Sequence, residues 1–429
     1  MEQAQLVERA KAVLDGNWVG TFTKPAPHLY PHQWSWDAAF IAMGYAHYDQ
    51  ARAEQELRSL FAGQWTNGLL PHIVFNPEAT AYFPGPEVWR TTTNPHASQN
   101  PRTSGIIQPP VHATAALHIF RHAQNSDRAR AFLADMFPRL RDWHAYLYRE
   151  RDPQGTGLVY IRHPWESGQD NSPIWDASLQ RIQPRPDEIP TYRRVDTAIV
   201  DAADRPTSAE YDRYIYLVKL FADRDYDEAR IRLDCPFLIQ DVLFNTLLCQ
   251  ANRDLAEIGR ILGAETAPFE AWAEQTAQAI EAKLWDEEHG LYVDFDVVAQ
   301  APIHAHVAAG FSPLYAGIPD AGRAQRMYEY LNSPSFCVLD DASCYPVPSY
   351  DRQAPGYSPN RYWRGPVWIN VDWLLEQGLR RYGFDAYADK VHHTMLHLVQ
   401  QHGFFEYFNP ETGQGHGTND FSWTAALFL

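Results

Sequence analysis

A chain of 429 residues, 45% of them hydrophobic, is long enough to bury a large core, and size alone allows anything from one barrel to three domains. Its net charge of −17 argues against nucleic-acid binding, which needs clustered Lys and Arg to neutralise phosphate, and against an anionic membrane surface. The surplus of aromatic side chains (14 Trp, 23 Tyr, 21 Phe) in an acidic chain suits a carbohydrate-handling enzyme, because ring faces pack on the apolar faces of sugars.

The first residues, Met1 to Gln5, lack a basic and apolar leader, and no later segment approaches the ~18 apolar residues of a membrane span, so a cytoplasmic protein is expected. Residues 3–15 read as a short amphipathic helix ended by Gly16. Tyr30 to Asp37 (YPHQWSWD) forms an aromatic loop that runs into a helix predicted over about 37–62. Asp37 falls at or near the N-cap of that helix, where a carboxylate accepts backbone N–H bonds; capping and substrate contact are both open to it. Segment 63–107, with Trp65, Tyr82 and Trp89, is long, aromatic and turn-rich, and a connection of that length is usually functional. Helices are predicted over about 108–123 and 127–150.

Then comes His163 to Asp176 (HPWESGQDNSPIWD), with three carboxylates and two tryptophans. Pro164, Gly168 and Pro173 forbid a regular helix or strand here, which leaves a shaped loop. Acids held between indoles fit a glycosidase acid loop; the plain alternative is a surface loop with an incidental acidic cluster. A polar, Pro-rich stretch covers 176–207, and helices return over about 208–222, 239–263 and 267–285. A short hairpin is predicted at 289–296, then helices over 303–316, 320–331, 366–382 and 385–401, with a last one from about 420. Pro366 falls in the first turn of its helix, a place suited to proline.

Four cysteines (Cys235, Cys249, Cys337, Cys344) match neither metal nor disulfide spacing and are expected to be buried free thiols. With no Gly-rich phosphate loop, HExxH or CxxC, neither a cofactor nor a metal is expected. About a dozen helices without βαβ units predict an all-α fold, an (α/α)6 barrel, with the long inter-helix loops gathered at one rim as the active site. One domain spanning 1–429 is expected, with loop insertions around 63–107 and 176–207.

Glycoside hydrolysis normally takes two carboxyl groups flanking the scissile bond. A partner for the acid loop stands near the C-terminus, where Glu406 lies among Phe404, Phe405, Tyr407 and Phe408 ahead of Gly413, Gly415 and Gly417. Glu411 reads as a solvated turn residue. A third cluster runs from Ser349 to Asn370 and includes Tyr362, Trp363 and Trp368, which also suit a core.

Taken together, WESGQDNSPIWD (165–176), YPHQWSWDAAF (30–40), YWRGPVWIN (362–370) and FFEYFNPETGQG with FSWTAAL (404–427) resemble glycoside hydrolase family 63, in particular its compact bacterial mannosylglycerate and glucosylglycerate hydrolases. The resemblance implies an (α/α)6 barrel, inversion at the anomeric carbon and no required metal. It implies that Asp170 is the general acid and Glu406 the general base, and that Trp36 and Asp37 hold glycone hydroxyls. Gln108, Trp165, Tyr362, Trp363 and Trp368 match positions that line the sugar pocket, with Tyr82 a looser match in a variable loop. Arg205 and Tyr211 fall in the region that binds the aglycone carboxylate in glycerate-specific members, a role that suits a forked guanidinium.

On this reading Asp170 keeps a proton at working pH because burial against indoles, or a nearby acid such as Glu166, raises its pKa. Inversion needs room for a water, hence carboxyl groups roughly 6.5–9.5 Å apart. The expected partner is a small glycoside, with no nucleic acid and no membrane; oligomeric state, a homo-oligomer included, is left open. Trehalase-like or α-glucosidase activity on a neutral disaccharide, and a non-catalytic sugar-binding barrel, are the alternatives. An epimerase-type barrel would use histidines as acid and base, but His32, His72, His112 and His163 follow no recognisable pairing. Mannose and glucose differ in one hydroxyl direction, so the sequence leaves the glycone open.

Overall fold

The computed structural model describes residues 3–79, 82–194, 196–198 and 200–429. Fifteen α-helices occur among the described residues. The first half of the chain holds α1 (Gln3–Asn17), α2 (Ser35–Tyr45), α3 (Gln50–Phe61), α4 (Pro86–Trp89), α5 (His112–His122), α6 (Ser126–Arg151) and α7 (Asp176–Gln180). The second half holds α8 (Ser208–Ala222), α9 (Glu228–Asp234), α10 (Val242–Leu262), α11 (Ala267–Lys283), α12 (Ala321–Leu331), α13 (Ile369–Arg381), α14 (Asp385–His402) and α15 (Ser422–Phe428).

Six segments close into a ring. α2 packs on α5, α5 on α10, α10 on the three-ten helix Ala308–Leu314, that helix on α13, α13 on α15, and α15 back on α2. Outside the ring, α3 covers α2, α6 covers α5, α11 covers α10, α14 covers α13 and α1 covers α15. The sixth outer helix, α12, meets the ring through the strand Leu291–Tyr292, which touches both it and the three-ten helix. This is the (α/α)6 barrel that the helix count predicted.

Sequence explains which helices go inside. Every residue of α2 (SWDAAFIAMGY) is buried, as expected of a helix apolar all round. Outer α3 instead buries Ala53, Leu57, Leu60 and Phe61 and turns Gln50, Arg52 and Arg58 outward, a one-sided stripe. Boundaries are set by caps: Asp49, Asn125, Asp241 and Asp320 each accept a backbone N–H at a helix start, and Thr207 with Glu210 forms a capping box on α8.

Several expectations are corrected. The predicted helix 37–62 is two helices, because the chain breaks at 46–49 and Asp49 caps α3. Asp37 is not the cap of α2; Trp34 holds that place and Asp37 lies in the first turn. Residues 289–296 are not a hairpin: Leu291–Tyr292 pairs with Trp285–Asp286, while Asp294–Asp296 pairs with Ile239–Gln240 and Ala301–Ile303. Alternation gave the strand character but not the partners. Within 303–316, only Ala308–Leu314 is helical, and it is three-ten, with Gly310 and Pro313 against a regular α turn. Pro366 does not start α13, because Val367 stays extended and bridges Pro348 and Phe408, so the helix begins at Ile369. Cys337 and Cys344 are joined as a disulfide, their Cα atoms 5.8 Å apart, whereas Cys235 and Cys249 are buried free thiols as expected. The loop between α12 and α13 brings the bonded pair together, and spacing alone does not reveal that. No helix among the described residues is long and apolar enough to cross a membrane.

Candidate active site

The starts of four inner segments converge on one cavity. Its wall takes Trp36 and Asp37 from the first turn of α2, Gln108 from just before α5, Trp368 from the N-cap of α13 and Trp423 from the start of α15. Long loops complete it: Tyr82 from 63–107, Trp165 and Asp170 from the acid loop, Asp196 and Arg205 from 176–207. Tyr211 of α8, Tyr362, Trp363 and Glu406 also line it. All twelve residues singled out from the sequence therefore share this wall.

The acid loop is shaped by its punctuation. Pro164 and Pro173 each open a three-ten turn, and the His163 ring accepts the Trp165 N–H at 3.0 Å. Between them Gly168 has φ +74°, and a Cβ there would lie 2.4 Å from the Trp36 indole. The Trp175 indole N–H donates to the Gln169 carbonyl at 2.8 Å, and the Tyr214 hydroxyl donates to the Asp170 carbonyl at 2.7 Å. The backbone is thus held on both sides of Asp170, whose carboxyl is half-buried at the cavity. Burial pushes that carboxyl up to about 7; the charges of Glu406 and Asp196 add to the effect and Arg205 opposes it.

Glu166 has a different task from the one expected. It is buried between Arg151, at 2.8 and 2.9 Å, and the Arg162 backbone N–H, at 2.7 Å, and it also accepts the Ile107 N–H at 3.2 Å. Burial raises its pKa, but Arg151 and Arg162 outweigh that and hold it below the usual glutamate range. It anchors the base of the loop to α6 and does not push Asp170 upward.

Glu406 shares the burial but has more donors around it. Its Oε1 accepts from the Tyr30 hydroxyl at 2.7 Å and the Tyr362 hydroxyl at 3.3 Å, with Arg205 Nη1 at 3.8 Å; its Oε2 accepts the Thr418 N–H at 3.3 Å. Burial holds its pKa above the ordinary glutamate range, while Arg205 and these donors oppose that shift and favour the ionised form. Close packing reaches the backbone: Gly417 has φ +74°, and a Cβ there would lie 2.4 Å from Glu406 Oε2. Asp37 is also held well above the usual range by burial, with Glu406 and Asp170 adding to it.

The walls are aromatic. Trp363 and Trp368 stack with centroids 3.8 Å apart and planes 3° from parallel, and Asn171 of the acid loop accepts the Trp363 N–H at 3.1 Å. Gln108 fixes the rim by accepting the Trp36 N–H at 3.1 Å. Tyr82 meets Trp34 edge-on at 5.5 Å, and Tyr211 meets Trp165 likewise at 6.0 Å. Arg205 lies over the Tyr362 ring at 4.1 Å, approaches Asp196 at 3.4 Å and donates to Tyr30 at 3.3 Å. Its Nη1 has no hydrogen-bond partner among the described residues.

Tyr30 and Asp196 were not singled out from the sequence. Tyr30 heads the YPHQWSWD string, so its aromatic company was a usable signal. Asp196 sits in a Pro-rich stretch without a motif, and only the fold shows that it pairs with Arg194 and Arg205.

The sequence model of the mannosylglycerate hydrolase MGH1-like glycoside hydrolase domain matches residues 30–424. The mannosylglycerate hydrolase of Rubrobacter radiotolerans is 57% identical over 424 residues, covering 99% of this chain and 96% of its own length. The glucosylglycerate hydrolase of Mycolicibacterium hassiacum is 38% identical, covering 99% and 97%. The crystal structure of a family 63 mannosylglycerate hydrolase from Thermus thermophilus, in complex with Tris and D-glycerate, superposes with a TM-score of 0.92 at 44% identity over 99% of both chains. An aromatic-walled cavity lined by carboxyl groups at one end of an (α/α)6 barrel, and full-length likeness to these enzymes, lead to one conclusion: the chain belongs to the MGH1-like glycoside hydrolases of family 63 and hydrolyses O-glycosyl bonds.

Proposed function

We propose that this enzyme hydrolyses mannosylglycerate or glucosylglycerate to the free sugar and glycerate, with inversion at the anomeric carbon. Asp170 donates its proton to the glycosidic oxygen as the C1–O bond breaks. Glu406, ionised, takes a proton from a water whose oxygen bonds to C1 from the opposite face, and the freed glycerate leaves as the alcohol. The observation that carries this reading is the difference in hydrogen-bonding company between Asp170 and Glu406, which line one cavity. Burial raises both, Asp170 to about 7, but Glu406 accepts from the Tyr30 and Tyr362 hydroxyls and the Thr418 N–H, which oppose the shift and favour its charge. The indole pair Trp363 and Trp368 is suited to the glycone, with Trp36, Asp37 and Gln108 at its hydroxyls, Trp165 and Tyr82 along the sugar pocket, and Arg205 and Tyr211 toward the aglycone.

The free Nη1 of Arg205 suits a substrate carboxylate. The same guanidinium is 3.8 Å from Glu406, which favours a second role in keeping that base ionised. Incubation with mannosylglycerate, glucosylglycerate and trehalose, followed by NMR of the first anomer released, tests the proposal. Inverted sugar from a glycosylglycerate and little from trehalose is the expected result. Retained configuration, or preference for trehalose, would overturn it.

A further inference from the structure

Three histidines meet at the C-terminal ends of the inner helices α2 and α5, apart from the residues that line the cavity. His47 follows α2 in the turn before α3, and His118 and His122 stand four residues apart on one face of α5. His47 Nε2 and His118 Nε2 are 3.3 Å apart. Ring centroids are 4.5 Å apart for His47 and His122, and 4.0 Å for His118 and His122. One nitrogen from each histidine lies within 4.8 Å of the other two.

Two features make this more than crowding. Zinc bound at 2.0–2.1 Å by imidazoles in a tetrahedron needs nitrogens about 3.3 Å apart, which is the His47–His118 separation. The His122 Nδ1 also lies 2.9 Å from the His118 carbonyl, so Nδ1 donates there and Nε2 keeps a free lone pair. That hydrogen bond to a backbone carbonyl is how metal-binding histidines are oriented. Helical spacing of four residues puts both α5 rings on one side, and His47 and His122 are exposed, leaving an approach for the ion and a water. The nearby Arg121 donates from Nη2 to both carboxylate oxygens of Glu257 at 2.8 Å, so its charge is partly offset.

A second group, Asp286 with His289 and His304, is built otherwise. Both Nδ1 atoms lie 2.9 Å from the same Asp286 Oδ2, so both rings direct their N–H to one carboxylate oxygen. That is a satisfied hydrogen-bonded cluster, and it serves as a control.

We propose that His47, His118 and His122 form a binding site for one divalent transition-metal ion of the zinc, nickel or copper kind, which ties the turn after α2 to α5. Imidazole nitrogens select such ions over magnesium or calcium, which prefer oxygen. Binding to the folded state alone raises stability by mass action, so the ion should raise the melting temperature.

The test is calorimetric titration of the metal-free full-length protein with ZnCl2, with melting temperature read in parallel. Expected is one ion per chain bound more tightly than about 100 µM, with affinity falling at least tenfold in both His47→Gln and His122→Gln. Both side chains are exposed, so these variants should fold and keep hydrolytic activity, and the His289→Gln/His304→Gln control should keep wild-type zinc affinity. Binding weaker than about 100 µM, or wild-type affinity retained in either single variant, overturns the proposal.

Discussion

The Tyr30 hydroxyl donates a 2.7 Å hydrogen bond to Glu406 Oε1 and so joins the first aromatic loop of the chain to an acid near its end. A donor to the charged form lowers a carboxylate's pKa. Tyr30→Phe should therefore shift the acidic limb of the kcat/KM profile to higher pH, with a loss of about tenfold in rate near the wild-type optimum, in keeping with one charged hydrogen bond. A pH–rate profile that superposes on wild type would remove Tyr30 from this role.

Under the proposed mechanism, Asp170→Asn and Glu406→Gln should each lower kcat by about 10²–10⁴-fold while leaving the far-UV dichroism unchanged. The alkaline limb of the wild-type profile should fall near pH 7, where Asp170 loses its proton. The same shift links to stability. With a folded pKa of about 7, above the ordinary 3.8, the stability contribution of Asp170 is full below pH 4 and is lost as pH rises through 7. Asp170→Asn should thus gain thermal stability over wild type between pH 4 and pH 8, and equal differences at both ends would contradict the assigned shift.

Gly417→Ala places a methyl 2.4 Å from Glu406 Oε2 in a left-handed backbone position. About 1–2 kcal/mol of destabilisation is expected from the backbone alone. Displacement of Glu406 should add a fall in kcat larger than any rise in KM, measurable by steady-state kinetics beside urea unfolding.

Arg205→Ala separates the two roles of that guanidinium. Loss of a substrate carboxylate contact should raise KM for a glycosylglycerate by about 10–100-fold and leave KM for a neutral glycoside unchanged. Loss of its field on Glu406 should move the acidic limb upward for both substrates. Arg205→Lys should restore the limb more than the KM, because an ammonium keeps the charge but not the fork.

Glu166→Gln strips the charge from a fully buried group that meets Arg151 at 2.8 Å with both side chains sealed from solvent. Breaking one side of such a pair costs about 3–5 kcal/mol, so a large drop in the urea midpoint is expected. Near-native stability would return Glu166 to the electrostatic role that its sequence neighbourhood suggested.

Sequence by itself located most of the helices and pointed to Asp170 and Glu406, which the fold brings to one cavity. Apolar periodicity is local, which is why it marks a helix over about 208–222, where α8 spans Ser208–Ala222. Pro164, Gly168 and Pro173 act within a few residues, so the acid loop was legible, as was Glu406 among its aromatics. Tertiary structure decided the rest. Closure of the ring from α15 to α2 brings Tyr30 to Glu406, and no local signal encodes a meeting between opposite ends of the chain. The pairing of Arg151 with Glu166, the disulfide between Cys337 and Cys344, and the place of Asp196 beside Arg205 follow for the same reason. Propensity and periodicity act over single turns, whereas charge pairing and burial depend on which segments the folded chain sets side by side.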